Sequence, residues 1–244
     1  MASETSPLGQ FTIERLVSLH IGSLDISYTN SALLMTIVVV LITALLVGTT
    51  RHASLVPGRL QSIAELSYEF VLGMVRENVG DADGRQFFPL VFSIFMFILF
   101  GNLLGLIPYS FTFTSHIVVT FALSLFVFLF VTVVALIRHG IRFFTFFFPP
   151  GAPIIMAPLL VPIEIISYLT RPVSLSLRLF ANMLAGHTII AVFAGFTVAL
   201  GIFGFLPLAF NVALLGLEVV IAALQAYVFA ILTCLYLSDA VHLH

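Results

Sequence analysis

The sequence predicts an all-α integral membrane protein with transmembrane helices, one interfacial amphipathic helix and a long, strongly tilted antiparallel C-terminal helix hairpin. Three observations carry that expectation. The 244 residues are 61% hydrophobic and 8% charged, with mean hydropathy +1.20, whereas soluble domains carry about 25% charged residues. A water-soluble fold has no means of covering so much apolar surface. Several charge-free runs are long enough to cross a hydrocarbon layer of ~30 Å. Finally, Arg178, Asn182 and His187 stand inside a further long apolar run, where an ionisable group is costly and is kept only if something satisfies or uses it.

Composition also excludes function classes. The formal net charge is −2, and all nine basic residues are arginine, with no cluster suited to nucleic acid. No Gly-rich phosphate loop is present. The single cysteine, Cys234, lies in an apolar run, so an internal disulfide is excluded. The seven histidines lack metal-site spacing. No cofactor, metal or nucleic-acid partner is expected.

In chain order, residues 1–30 are expected to form an outer-side polar tail carrying Glu4, Glu14, Arg15 and Asp25. They lack the charged, apolar and small-residue zones of a signal peptide and the Arg/Ser-rich character of a transit peptide, so insertion is expected to rely on internal helices. Residues 31–50 are charge-free and form the first span. Residues 59–79 read as the interfacial helix. At 100° per residue Ser62, Glu65, Glu69 and Arg76 share one arc and Leu60, Ile63, Phe70, Val71 and Met74 the other. A helix packed on a soluble partner is the other reading of that pattern. Gly80 to Gly84 is expected to be a loop.

Residues 87–137 are expected to form a helical hairpin: a span from Phe87 to Pro108 interrupted at Gly101-Asn102, a loop from Tyr109 to His116, and a span from Ile117 to Ile137. Phe143 to Pro153 is aromatic and then Pro-rich, a poor helix interior. Residues 155–241 make the long tilted hairpin and its polar path. Its first apolar run, Leu159 to Leu200, corresponds to roughly 63 Å of helix at ~1.5 Å per residue, twice the hydrocarbon thickness. It must tilt, bend or break, and Pro172 marks the expected bend. Gly201, Gly204 and Pro207 mark the turn before the second run, Leu208 to Leu237. All 244 residues are expected to form one membrane domain. Arg51, Arg59, Arg76, Arg85, Arg138 and Arg142 flank one side and Arg15 the other. The positive-inside rule then puts the N-terminus outside and the C-terminus, His242-Leu243-His244, inside.

On the first run Glu164, Ser167, Arg171, Ser174, Arg178, Asn182 and Ala185 fall within about 40° of one direction. His187 points to the opposite face. On the second run Glu218 and Gln225 are seven apart and share a face. A fold-back near Ile202 pairs His187 with Glu218, Arg178 with Gln225, and Glu164 with Asp239, at three depths. Asn182 and Gln225 are then the expected partners of Arg178. Histidine and buried carboxylates move protons near neutral pH. A permanent cation at mid-depth blocks a continuous cation pore. Two half-routes separated by Arg178 make sense if a mobile partner carboxylate carries the proton past it. Blander readings stand beside this: His187 as a packing residue, Glu218 as a neutral acid paired to backbone, Arg171 as a snorkelling side chain, and Asn102 as the cap of a helix break.

The runs Arg171-Pro172-Val173-Ser174-Leu175, Leu177-Arg178-Leu179-Phe180-Ala181-Asn182-Met183 and Ala185-Gly186-His187 resemble the signature of subunit a of F-type ATP synthases. Leu224-Gln225-Ala226-Tyr227-Val228-Phe229, Tyr236-Leu237-Ser238-Asp239-Ala240 and Gly101-Asn102-Leu103-Leu104-Gly105-Leu106-Ile107-Pro108 extend the resemblance over nearly the whole chain, most closely to the alphaproteobacterial and mitochondrial branch. It implies a proton-translocating stator subunit that is not an enzyme by itself. The partners it implies are a c-subunit ring with membrane-buried carboxylates, peripheral-stalk b-type subunits, the other ATP synthase subunits, the lipid bilayer and protons. Arg178 would strip the proton from the ring carboxylate and prevent leak. His187 and Glu218 would line the outer half-channel, with Asn102 in it. Asn182 and Gln225 would sit beside the arginine. Glu164 would line the inner half-channel, and Asp239 joins it through the fold-back register. The implied location is a bacterial cell inner membrane, with the mitochondrial inner membrane as the alternative. A self-contained ion channel or secondary transporter is the competing reading, but no internal repeat is visible. An intramembrane enzyme lacks a nucleophile–base pair.

Overall fold

The structure, a computed structural model, describes residues 12–18, 20–21, 24–25, 27–51, 54–107, 110–148 and 154–241. The expected features at Pro108, Tyr109, Pro149 to Pro153 and His242 to His244 lie outside them. Six α-helices dominate: α1 (Asn30–Arg51), α2 (Arg59–Val79), α3 (Asp81–Gly105), α4 (Ile117–His139), α5 (Ala157–Ala199) and α6 (Phe205–Val241). Apart from α2, all are long and apolar enough to cross a membrane. The protein is an all-α multi-pass membrane protein. Its outer faces carry large exposed apolar side chains such as Val118, Ile137 and Val198, which suit lipid, and the helices satisfy most of their backbone groups internally.

The tail departs from a featureless polar segment. Two short antiparallel pairs form, β1 (Arg15–Val17) with β4 (Tyr28–Thr29) and β2 (His20–Ile21) with β3 (Leu24–Asp25). Asn30 ties them to α1: its side-chain oxygen accepts from Ser31 N (2.9 Å) and its amide donates to Thr12 O (3.1 Å). Strands of two or three residues leave too little alternation to be seen in sequence.

The amphipathic helix α2 buries Val71, Met74, Val75 and Val79 and leaves Leu60, Ile63, Glu65 and Glu69 exposed. It packs on α3 and α6. The expected loop from Gly80 to Gly84 shrinks to Gly80 alone, whose φ of 96° is a glycine conformation. Asp81 and Asp83 instead open α3, where carboxylates complement the helix dipole. Asp81 also pairs with Arg76 at 3.1 Å, and Asp83 with Arg138. Consequently α3 begins six residues before the expected span.

The expected interruption at Gly101-Asn102 is absent, and α3 runs on to Gly105. The glycines serve close approach. A Cβ at Gly101 would lie 2.4 Å from the Phe113 ring, and one at Gly105 would lie 2.8 Å from the Thr112 side chain. They let the segment after α3, including a 3₁₀ turn at Phe113–Ser115, fold back against the helix end.

Helix α5 is continuous over 43 residues with Pro162 and Pro172 inside it. A 3₁₀ turn at Gly201–Gly204 returns the chain into α6, close to the expected fold-back. Gly204 is obligatory there, because a Cβ would lie 2.2 Å from Thr197 O. α5 packs on α4 and α6, and α6 packs on α3. Ala222, Ala226, Ala230 and Cys234, spaced four apart on α6, are fully buried. Small residues at this spacing let membrane helices approach closely.

Candidate functional site

The hairpin of α5 and α6 carries three polar groupings. At mid-length the Arg178 side chain is exposed and has no hydrogen bond or ion pair among the described residues. Ser167, Ser174, Ala181, Asn182 and Ala185 are exposed with it, so most of the predicted stripe faces away from the protein. The expected partners do not reach the guanidinium. Buried Gln225 instead donates from Nε2 to the backbone carbonyl of Arg178 at 3.0 Å. Asn182 makes no hydrogen bond among the described residues and is exposed one turn along α5. The amide of Gln225 locks the two helices in register and leaves the cation outward.

The second grouping lies at the end of the hairpin nearer its turn. His187 and Glu218 meet as the fold-back predicts, with Nε2 to Oε1 at 3.8 Å. Glu218 is only 3% exposed, and neither carboxylate oxygen has a hydrogen-bond partner among the described residues. Gly186 makes the space: a Cβ there would lie 2.3 Å from Glu218 Oε1. His187 Nε2 also lies 3.1 Å from Thr112 Oγ1. Asn102 is fully buried and donates from Nδ2 to the carbonyl of Ala222 at 3.4 Å, one turn beyond Glu218. It packs inside an unbroken helix rather than capping a break. The neighbouring segment buries Thr114 and Ser115 and holds His116, whose ring stacks on Phe111 at 4.9 Å. Burial pushes the His116 imidazole below its ordinary value, which favours the neutral ring at pH 7.

The third grouping corrects the predicted register. Asp239 pairs with Arg171, Oδ2 to Nη1 at 2.9 Å, and not with Glu164. Arg171 therefore does not snorkel. Its guanidinium lies over the Tyr168 and Tyr236 rings at 5.3 and 5.0 Å. Tyr168 OH lies 2.7 Å from Thr132 Oγ1, and the carbonyl of Ala240 lies 3.0 Å from His139 Nε2. Glu164 is half-buried and has no hydrogen bond or ion pair among the described residues. An arginine spans more than a helical turn, so the rings and the carboxylate capture the nearest cation. Asp239→Ala is expected to lower the melting temperature of the solubilised protein, at a cost of about 1–3 kcal/mol, because it removes a carboxylate from a half-buried cation. The double change Arg171→Leu with Asp239→Leu is expected to cost less than the single change. A smaller loss in Asp239→Ala than in the double variant would reject the clamp.

The sequence profile of the ATP synthase A chain family matches residues 32–238. Among relatives, ATP synthase subunit a of Rhodospirillum rubrum is 53% identical over 240 residues, covering 98% of this chain and 99% of its own. The subunit a of Mesorhizobium japonicum is 54% identical over 248 residues, covering 99% and 98%.

The chain belongs to the ATP synthase subunit a family.

Membership makes it a non-catalytic membrane subunit of an F-type ATP synthase, serving ATP synthesis and proton transport alongside other subunits of that complex. Within this subunit a fold, two residues of the histidine grouping were not foreseen as site residues. Thr112 is 75 positions from His187 in a segment that reads as a connecting loop. Gly186 reads as part of a motif rather than as a notch. The tight pairing of Gly101 and Gly105 was the available signal that something folds back against the end of α3.

Proposed function

We propose that this subunit provides two offset half-channels to the carboxylates of a c-ring, with Arg178 between them. His187, Glu218 and Asn102 form the outer half-channel, and Glu164 belongs to the inner one. Asn182 and Gln225 flank the arginine, Gln225 by holding its backbone. Asp239 acts through its clamp on Arg171. The observation that carries this reading is the direction of the charges. The only acid and imidazole on the inner faces of the hairpin near its turn meet each other, while the cation between the levels points outward with no partner among the described residues. A buried or lipid-facing cation without a counter-charge is costly. A carboxylate on a neighbouring rotor supplies one and leaves again as the ring turns. The arginine bias puts the N-terminus outside a bacterial inner membrane and the C-terminus inside. Peripheral-stalk b-type subunits complete the stator.

The driving force is about 2.3 kcal/mol per charge per 100 mV, so several protons pass for each ATP. The test is cross-linking in the assembled complex. Cysteines placed by Asn182→Cys and Ala185→Cys, on the exposed stripe, are expected to form adducts with a cysteine beside the ring carboxylate. Cysteines that are labelled by a small maleimide yet give no adduct with any ring subunit would remove the ring from this face.

A further inference from the structure

We propose that Thr112 is a positioning residue for proton transfer, setting which nitrogen of His187 carries the proton and holding the ring beside Glu218. The inference rests on the reading of His187 and Glu218 as part of the proton path. Thr112 Oγ1 lies 3.2 Å from the carbonyl of Gly105 and 3.1 Å from His187 Nε2, and Thr112 is 3% exposed. A threonine hydroxyl has one proton to give. The Gly105 carbonyl, at the last residue of α3, only accepts. Helix-terminal carbonyls have run out of amide donors from their own helix. Both contacts are satisfied at once in a single arrangement: Thr112 donates to Gly105 and accepts from the Nε2–H of His187.

That arrangement has a chemical consequence. The neutral imidazole is the Nε2–H tautomer, and its proton points at a group that never takes it. Glu218 Oε1 lies 3.8 Å from the same nitrogen, just beyond hydrogen-bond reach. A small rotation of the ring swings the Nε2–H from the hydroxyl toward the carboxylate, and once Nδ1 has taken a proton from the path the imidazolium gives its Nε2 proton to Glu218 and returns to a neutral ring. Thr112 therefore acts as a resting acceptor next to the reactive one. Gly105 keeps the hydroxyl in place, since a Cβ there would lie 2.8 Å from Thr112 Oγ1. Of the elements packed on α5 and α6, α6 presents Glu218 to His187, and α4 carries His116 at its head. At the far end of the bundle Asp239 pairs with Arg171, His139 meets the carbonyl of Ala240, and Arg138 pairs with Asp83 of α3. α3 contributes uncharged Asn102. Arg178 projects from the opposite side of α5.

Removing the acceptor penalises the imidazolium, which needs partners for both N–H groups, more than the neutral ring, which is free to change tautomer. The pH dependence of transport therefore moves to lower pH.

The test compares Thr112→Val, Thr112→Ala and Thr112→Ser in the complete ATP synthase reconstituted in vesicles. ATP-driven proton uptake is followed between pH 5.5 and 8.5. Valine and alanine are expected to lower uptake roughly three- to tenfold, the value of one hydrogen bond, and to shift the profile acidward by about half a unit to one unit. Serine, which keeps the hydroxyl, is expected to restore the rate and the profile. A steric role reverses the order, with valine matching the native protein and serine failing, and that result would overturn the proposal. Should valine prevent assembly, the alanine and serine pair decides by the same ordering. His187→Ala is run in parallel. Normal uptake in that variant refutes the path itself, whereas its loss together with native-like behaviour of all Thr112 variants refutes only the role of Thr112.

Discussion

Arg178→Ala is expected to reduce ATP-driven proton pumping in reconstituted vesicles to background while leaving the subunit assembled. The two halves of that outcome have different causes. Assembly survives because the guanidinium has no hydrogen bond or ion pair among the described residues, so its loss orphans nothing within the chain. The helix register survives because Gln225 binds the carbonyl of Arg178, which alanine retains. Pumping is expected to fail because the proposed function gives this cation the transport task. A carboxylate about 4 Å from a unit charge gains ~4 kcal/mol at an effective dielectric of ~20, which is about three orders of magnitude in its ionisation equilibrium. Without that attraction the ring carboxylate keeps its proton as it passes, and nothing positive blocks leak between the two half-routes. Uptake is measured by quenching of a pH-sensitive dye, and assembly by native gel. Coupled uptake above about a tenth of the native rate in a fully assembled variant would reject the role of Arg178.

The hairpin was legible because its rule is simple. A tight turn at Gly201–Gly204 imposes an antiparallel register, and that register brought His187 to Glu218 and Gln225 to the backbone of Arg178. The spans were legible because charge-free runs have few alternatives. What failed was any inference that needed side-chain reach or backbone close approach. The Glu164–Asp239 pair assumed that register alone chooses partners, whereas Arg171, long and flanked by Tyr168 and Tyr236, took the carboxylate. Gln225 was matched to the right residue but bound its carbonyl, because the guanidinium projects outward. Gly101-Asn102 was taken as a helix break, since sequence does not distinguish a glycine that bends a helix from one that admits a neighbour, as Gly101 and Gly105 both do. Here the neighbours are Phe113 and Thr112. The contact of Thr112 with His187 joins a short loop to a helix 75 residues away, and no periodicity encodes it.

Glu218→Gln is expected to lower coupled proton uptake by about 100-fold or more while preserving assembly. Glutamine has almost the shape of glutamate, so the notch opposite Gly186 still fits it. It has no proton to exchange near neutral pH, and loss of a positioned acid–base group costs about 10²–10⁴-fold in rate. Stability is not expected to fall by a similar measure. The carboxylate oxygens have no hydrogen-bond partner among the described residues and the residue is 3% exposed. The substitution therefore breaks no ion pair closer than the 3.8 Å approach to His187, and it spares the protein a buried charge. Function and stability thus separate at this position, whereas a packing residue would show them falling together. Glu218→Asp supplies the graded control. It keeps an acid but withdraws it by one methylene from His187, so uptake is expected between that of the native protein and that of the glutamine variant. Thermal melting of the complex and initial uptake rates from pH 6 to 8 distinguish the outcomes. Native-like uptake in Glu218→Gln across that range would mean that protons reach the ring without passing through this carboxylate, and the pairing with His187 would then be only a packing contact.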